Sequence, residues 1–224
     1  MTMGAEKSTL SQTIRTAFIE MMKSVGTSVP GNVIAFDPAT QLAQIQIGVV
    51  RIDINGQTFT PPPIIKCPVH FSGGGDWTLE YQVDPGCEGL VIFSQRCIDA
   101  WVQTGGVAEQ PQIRFHDFND ALFIPGFRSQ VGKIVDFAND GIRLRNKAGT
   151  HYLWIKSDGT IERTNGAGTD TMLPDGTVNI NGVTISPSGV ITIPNGVVLN
   201  THIHNQDPDS DGNTQQPTQE PKNP

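Results

Sequence analysis

Charge is sparse in this sequence, and basic charge sparser still. Lys and Arg number 15 against 22 Asp and Glu, only 17% of the 224 residues are charged, and the formal net charge is −7. An acidic chain lacks the Lys/Arg footprint that holds nucleic-acid phosphates, so no nucleic-acid partner is expected. Long apolar runs are missing too. The longest are of the order of Leu90-Val91-Ile92-Phe93, far short of the roughly 20 residues a membrane-spanning helix needs. Met1 to Lys7 has neither the basic nor the apolar region of a secretory signal. Cysteine is rare: Cys67, Cys87 and Cys97 cannot all pair within one chain. Without a signal they are expected as reduced thiols. They lack zinc-type pair spacing and read as buried hydrophobes.

Turn formers are what the chain has in quantity. With 24 Gly and 16 Pro, it promises many turns, hence short strands rather than long helices. The hydrophobic fraction of 37%, raised by the glycines, is that of a globular protein.

Four segments follow from the patterning: 1–28, 29–130, 131–200 and 201–224. Residues 5–25 predict a helix, because Leu10, Ile14, Ala17, Phe18, Met21 and Val25 form one stripe. So short a helix is marginal alone and should pack on copies of itself, on another protein or on its own domain. In the second segment Val33 to Phe36, Leu42 to Val50, Val69 to Phe71, Trp77 to Val83 and Leu90 to Phe93 are strand candidates. Five or six strands suit a small barrel such as an OB-fold. The cysteine and tryptophan positions do not favour the alternative, an immunoglobulin-like sandwich.

The third segment repeats. Asn181-Gly182, Ser188-Gly189 and Asn195-Gly196 recur every seven residues, each followed by Val: Val183, Val190 and Val197. A hairpin meander and a β-helix both fit such a strand-turn repeat. Each repeat buries about two aliphatic side chains, roughly 3–6 kcal/mol. Ordering its backbone costs roughly 7–14 kcal/mol. The strip therefore needs a partner for its apolar edge, and an intertwined trimer supplies three faces where one chain supplies one. From residue 164 to 204 the only charged side chains are Asp170 and Asp175, which spares three crowded copies like-charge repulsion.

Thr201-His202-Ile203-His204 follows the last repeat. On a continuing strand His202 and His204 would share one side. A surface pair is the plain reading. In a three-fold assembly, six neutral imidazoles in two layers would suit an octahedral first-row metal such as Fe(II) better than tetrahedral zinc. Such a site is structural, with no open position for catalysis. Gly73-Gly74-Gly75 lacks the Lys and Ser/Thr of a phosphate loop and reads as a turn. His116-Asp117, with Ser129 downstream, has nothing to place a nucleophile beside it. Residues 205–224 contain no hydrophobic residue and read by composition as a disordered tail.

The layout resembles the membrane-piercing central spike proteins of contractile-tailed bacteriophages. The resemblance rests on Pro30-Gly31-Asn32-Val33, Phe36-Asp37-Pro38, Phe71 to Gly75, Val83-Asp84-Pro85-Gly86, Ile98-Asp99-Ala100-Trp101, Arg114-Phe115-His116-Asp117, Asp120-Ala121 and Ile124-Pro125-Gly126. At the other end it rests on Thr201 to His204 with the Asp/Gly/Gln/Pro tail. It implies an all-β homotrimer: an N-terminal OB-fold domain in the baseplate beside hub proteins, then a trimeric β-helix. The implied apex is capped by one iron, held by His202 and His204 of each chain, with the tail folded back on it to about residue 218. It implies a virion component, assembled in the host cytoplasm, that punctures the host outer membrane when the sheath contracts. Some family members bind calcium and chloride in the spike; no clear ligand set for either is present here. No enzyme activity is expected. The alternatives are a tail-associated cell-wall hydrolase and a module that binds glycan or a baseplate partner.

Overall fold

A computed structural model describes residues 9–23, 25–52 and 55–220. It is mostly β, and the chain divides into two units, Met1–Lys133 and Ile134–Pro224.

The first unit opens with helix α1, Leu10–Lys23. Thr9 and Gln12 start it with a reciprocal cap: the Gln12 amide donates to Thr9 Oγ1 (3.3 Å) and the Thr9 amide to Gln12 Oε1 (2.7 Å). The helix is shorter than the predicted 5–25. Val25 lies beyond it, while residues 5–8 and 24 fall outside the described residues. None of its side chains is buried.

The strands that follow are β1 (Ser28–Asp37), β2 (Leu42–Ile47), β3 (Arg51–Ile52), β4 (Thr58–Phe59), β5 (Ile64–Pro68), β6 (Gly73–Gly74), β7 (Trp77–Thr78) and β8 (Glu88–Phe93). Helix α2 (Asp99–Thr104) and β9 (Ala121–Pro125) complete the unit. Five of these strands make one antiparallel sheet in the order β5-β2-β1-β8-β9. The sheet curls until its edges meet. Val69, just past β5, bridges Phe123 of β9 in parallel, and the His70 amide donates to the Phe123 carbonyl at 2.8 Å. Alternation sets the inner face: β2 contributes Ala43, Ile45 and Ile47, and β8 contributes Val91 and Phe93. Val33, Ile64, Cys67, Ala121 and Phe123 close around them. Gly89 is bare because a Cβ there would stand 2.4 Å from the Phe123 ring.

Several strand predictions shift. Val69 to Phe71 is a bridge rather than a strand, and the true strand is β5. Its alternation is broken at Lys66, whose φ of 56° leaves Ile64 and Cys67 as the buried pair. Of the stretch from Trp77 to Val83 only Trp77–Thr78 pairs, with β6, and only Val83 is buried. The turn of that hairpin is Gly75-Asp76, not the whole glycine run.

The second unit is a ladder of seven strands in sequence order: β10 (Ile142–Arg145), β11 (Tyr152–Ile155), β12 (Ile161–Thr164), β13 (Thr169–Met172), β14 (Val178–Ile180), β15 (Val183–Ile185) and β16 (Ile191–Thr192). Every pairing is antiparallel and joins consecutive segments of one chain. The repeat is thus realised as hairpins. At Asn181-Gly182 both φ values are positive, 49° and 90°, as a two-residue type I′ turn requires. Four other turns are one residue longer, and the loops 147–150 and 165–168 have four residues. Gly159, Gly176, Gly189 and Gly196 each donate to the residue three before them, the pattern of a type I turn closed by a left-handed glycine. Asp158, Asp175 and Asn195 accept the amide two residues on, at 2.8, 2.8 and 3.1 Å. Those bonds hold the Asp158 and Asp175 carboxyls below the usual range.

The registers sort the ladder's side chains into two faces. One carries two rows. Ile142, Ile155, Ile161, Met172, Val178, Ile185 and Ile191 form the first; Leu144, Leu153, Arg163, Asp170, Ile180 and Val183 form the second. The opposite face carries Arg143, Trp154, Glu162, Thr171, Asn179, Thr184 and Thr192. Here the usual sense of burial is inverted. Ile142 is 69% exposed and Leu144 53%, while their polar-face neighbours Arg143 and Arg145 are half-buried.

Candidate functional site

Two features of the second unit bear on function: the uncovered apolar face and the histidine pair beyond it. The apolar face runs the length of the ladder, roughly 29 Å for six steps of about 4.8 Å. Among the described residues of the unit, none layers over it. Among the described residues, Thr160 is the one buried side chain of this unit. A one-layer sheet with an open apolar side does not meet the ordinary requirement that each such face be packed against another layer.

The polar face, by contrast, packs within itself near its base. Glu162 receives Lys156 Nζ at 2.6 Å and the Tyr152 hydroxyl, and Lys156 first, then Tyr152, hold its carboxyl below the usual range. Trp154 donates its Nε1–H to the Asp140 carbonyl (2.6 Å) and lies under Arg143 and Lys156.

The strand does not continue through His202 and His204. The chain turns at Leu199–Thr201, closed by the Thr201 amide on the Val198 carbonyl (3.2 Å). The rings meet all the same, with centroids 5.0 Å apart and planes at 88°. His202 Nδ1 lies 2.8 Å from the Leu199 carbonyl oxygen. A carbonyl only accepts, so Nδ1 carries the proton and the neutral ring keeps its lone pair on Nε2. Ligating imidazoles are oriented in this way, through the nitrogen that does not bind the metal. His204 is anchored by its backbone. Its amide donates to Thr218 Oγ1 (2.8 Å), and its carbonyl accepts the Thr218 amide (2.9 Å). The tail, disordered by composition, thereby returns onto the histidine segment.

Two imidazoles cannot close a metal site, and among the described residues no third His, Cys, Asp or Glu joins them in a ligand group. The donor set fits a first-row metal only if other chains complete it.

One three-residue donor group does exist. Cys97, Asp99 and Asp120 bring ligand atoms within 4.8 Å of one another. Arg114 fills that space: its guanidinium donates to Asp120 Oδ1 (2.8 Å), Asp99 Oδ2 (2.9 Å) and Cys97 Sγ (3.0 Å), and its Nε to Asp120 Oδ2 (3.0 Å). Asp120 is fully buried and also accepts the Ile98 amide. Burial opposes its charge, but Arg114 and that amide outweigh it and hold the carboxyl below the usual range. The group is an ion-pair lock that joins the α2 segment to the entry of β9. Sequence reading picked out these motifs by resemblance and missed that they bond each other.

The remaining candidates serve local structure. His116 and Gly26 exchange bonds, the Gly26 amide to the His116 carbonyl at 3.0 Å and His116 Nδ1 to the Gly26 carbonyl at 3.1 Å. Asp117 accepts the Asn119 amide at 2.9 Å. Ser129 donates its amide (2.7 Å) and hydroxyl (2.8 Å) to Glu88. The structure does not bring Ser129 to His116. Cys67 sits in the core, and burial pushes its thiol up to about 12.

Residues 29–126 match the family described as phage protein Gp138 N-terminal domain. The match covers the curled sheet and somewhat less than half of the chain. It supports a phage protein of the tail or baseplate type. No curated protein matches the chain.

Proposed function

We propose that this protein is the central spike of a contractile phage tail, a homotrimer that punctures the host outer membrane when the sheath contracts. The carrying observation is the ladder with one uncovered apolar face. Three copies that turn those faces inward would share a dry interior along a narrow prism, the trimeric β-helix of the spike. Burying a Leu or Ile contributes about 1.5–3 kcal/mol, and each chain offers two rows of them.

The match over residues 29–126 supports the baseplate end of this reading. There the sheet order and the Val69–Phe123 closure suit an OB-fold barrel. The exposed stripe of α1, with Leu10, Ile14, Phe18 and Met21, suits hub proteins or the helices of the other two chains. At the far end His202 and His204 of three chains would hold one iron. Six imidazole nitrogens leave no position open for chemistry. The metal would tie chain ends together where few side chains remain to be buried. The role asks for stiffness rather than turnover.

Light scattering on the full chain tests the assembly. A mass of three times 24.2 kDa is expected; a monomer at micromolar concentration overturns the proposal.

A further inference from the structure

Helix α1 is uncovered within its own unit. None of its side chains is buried, and Leu10, Ile14, Phe18 and Met21 are between 60% and 77% exposed. The helix is nonetheless specified in place, since Thr9 and Gln12 cap it. Leu10, Ile14, Ala17 and Met21 follow one another at steps of 4, 3 and 4 residues, the spacing of a coiled-coil seam. Phe18 adjoins that seam and widens it. A strict two-row seam suits a pair of helices, whereas the wider stripe touches two neighbours at once. Arg15, Glu20 and Lys23 hold none of its positions, and Glu20 and Lys23 pair with each other at 2.7 Å.

We infer that α1 docks on the α1 helices of two further copies of this chain, closing a short three-helix bundle. This rests on the trimeric reading above. A copy is the occupant because the stripe is uncharged. Identical helices set like beside like, so a stripe carrying Arg15 or Lys23 would oppose its own image. Size points the same way. The 14 residues of α1 make about two heptads and offer few large apolar side chains. Free helices of that length are marginal singly, and so small a burial does not outweigh the freedom lost when they associate. Within one trimer the ladders have already brought the chains together, and the other two helices stand at an effective concentration on the order of millimolar. Helix α1 thus joins an assembly that the ladder starts.

Proximity chemistry on the full chain tests this. Ala17→Cys puts a thiol in the seam, and Thr16→Cys puts one on the far side of the helix. With a short bismaleimide, trimers of Ala17→Cys are expected to give covalent dimers, two chains joined and the third left over. Thr16→Cys is expected to give none, nor is the wild type, which controls for Cys67, Cys87 and Cys97. Adding Ile14→Asp to Ala17→Cys should abolish the link while light scattering still finds the trimer, because the ladders remain. A trimer in which Ala17→Cys fails to link, or links no faster than Thr16→Cys, overturns the inference. Links that survive Ile14→Asp overturn it as well. A monomeric wild type overturns the trimeric reading instead.

Discussion

His204 and Thr218, separated by 14 residues, bond each other twice, amide to hydroxyl oxygen and carbonyl to amide. The loop between them has no apolar residue to bury, so these bonds carry much of its attachment. Thr218→Val removes one acceptor and keeps the shape. The His204 amide should then exchange with solvent about five- to tenfold faster, the worth of about 1 kcal/mol for one hydrogen bond. Unchanged exchange of that amide would show that the loop is held elsewhere.

Metal content tests the proposed iron tip separately from the proposed trimer. His202→Ala combined with His204→Ala should abolish bound iron while light scattering still finds the trimer. Elemental analysis of the wild type should give about one iron per three chains under the six-imidazole count. Iron retained by the double variant would place it at other residues.

The Arg114 lock should be the most sensitive polar feature of the first unit. Arg114→Ala leaves the fully buried Asp120 without its main partner. Breaking such a pair costs about 3–5 kcal/mol, to be read from the denaturant midpoint. A loss below about 1 kcal/mol would mean that water replaces the guanidinium.

Gly89→Ala tests the packing of β8 on β9. The added methyl would lie 2.4 Å from both the Phe123 ring and the Ile124 carbonyl. Overpacking of this kind costs roughly 1–3 kcal/mol. Thermal melting measures it, and a melting temperature equal to the wild type would contradict the close approach.

Acid should loosen the ladder turns. Thr160 and Thr177 amides hold the Asp158 and Asp175 carboxyls below their ordinary range. Their contribution is therefore present above that range and is lost as pH falls through the lowered values. Carboxyl carbon NMR should give midpoints below those of free Asp. Asp158→Asn keeps the acceptor without the charge and should remove that turn's acid sensitivity.

Much of this fold could be read from the residues because the relevant patterns are local. The turns of the ladder are written in Asp-Gly, Ser-Gly and Asn-Gly steps, and Val183, Ile185 and Ile191 alternate at strand period. β5 could not be read in that way. Its left-handed Lys66 puts Ile64 and Cys67 on one side, three residues apart, where a strand pattern expects two. The Arg114 lock was equally illegible, since its partners lie 15 and 6 residues away on segments with no common period. For the histidines, the sequence marks the pair, but the turn at Leu199–Thr201 and the tautomer fixed by the Leu199 carbonyl come from three-dimensional placement.

The hairpins of the ladder bear on how fast it forms. Each strand from Ile142 to Thr192 pairs only with its neighbours along the chain, so loop closures are short and contact order is low. Individual hairpins of this kind close in about 1–10 μs. In the proposed trimer, zipping of the strands would then be quick and encounter between molecules slow, which would make refolding a matter of dilution. The rate should climb with protein concentration, and exposed isoleucine rows make aggregation the competing fate of a crowded, half-assembled population.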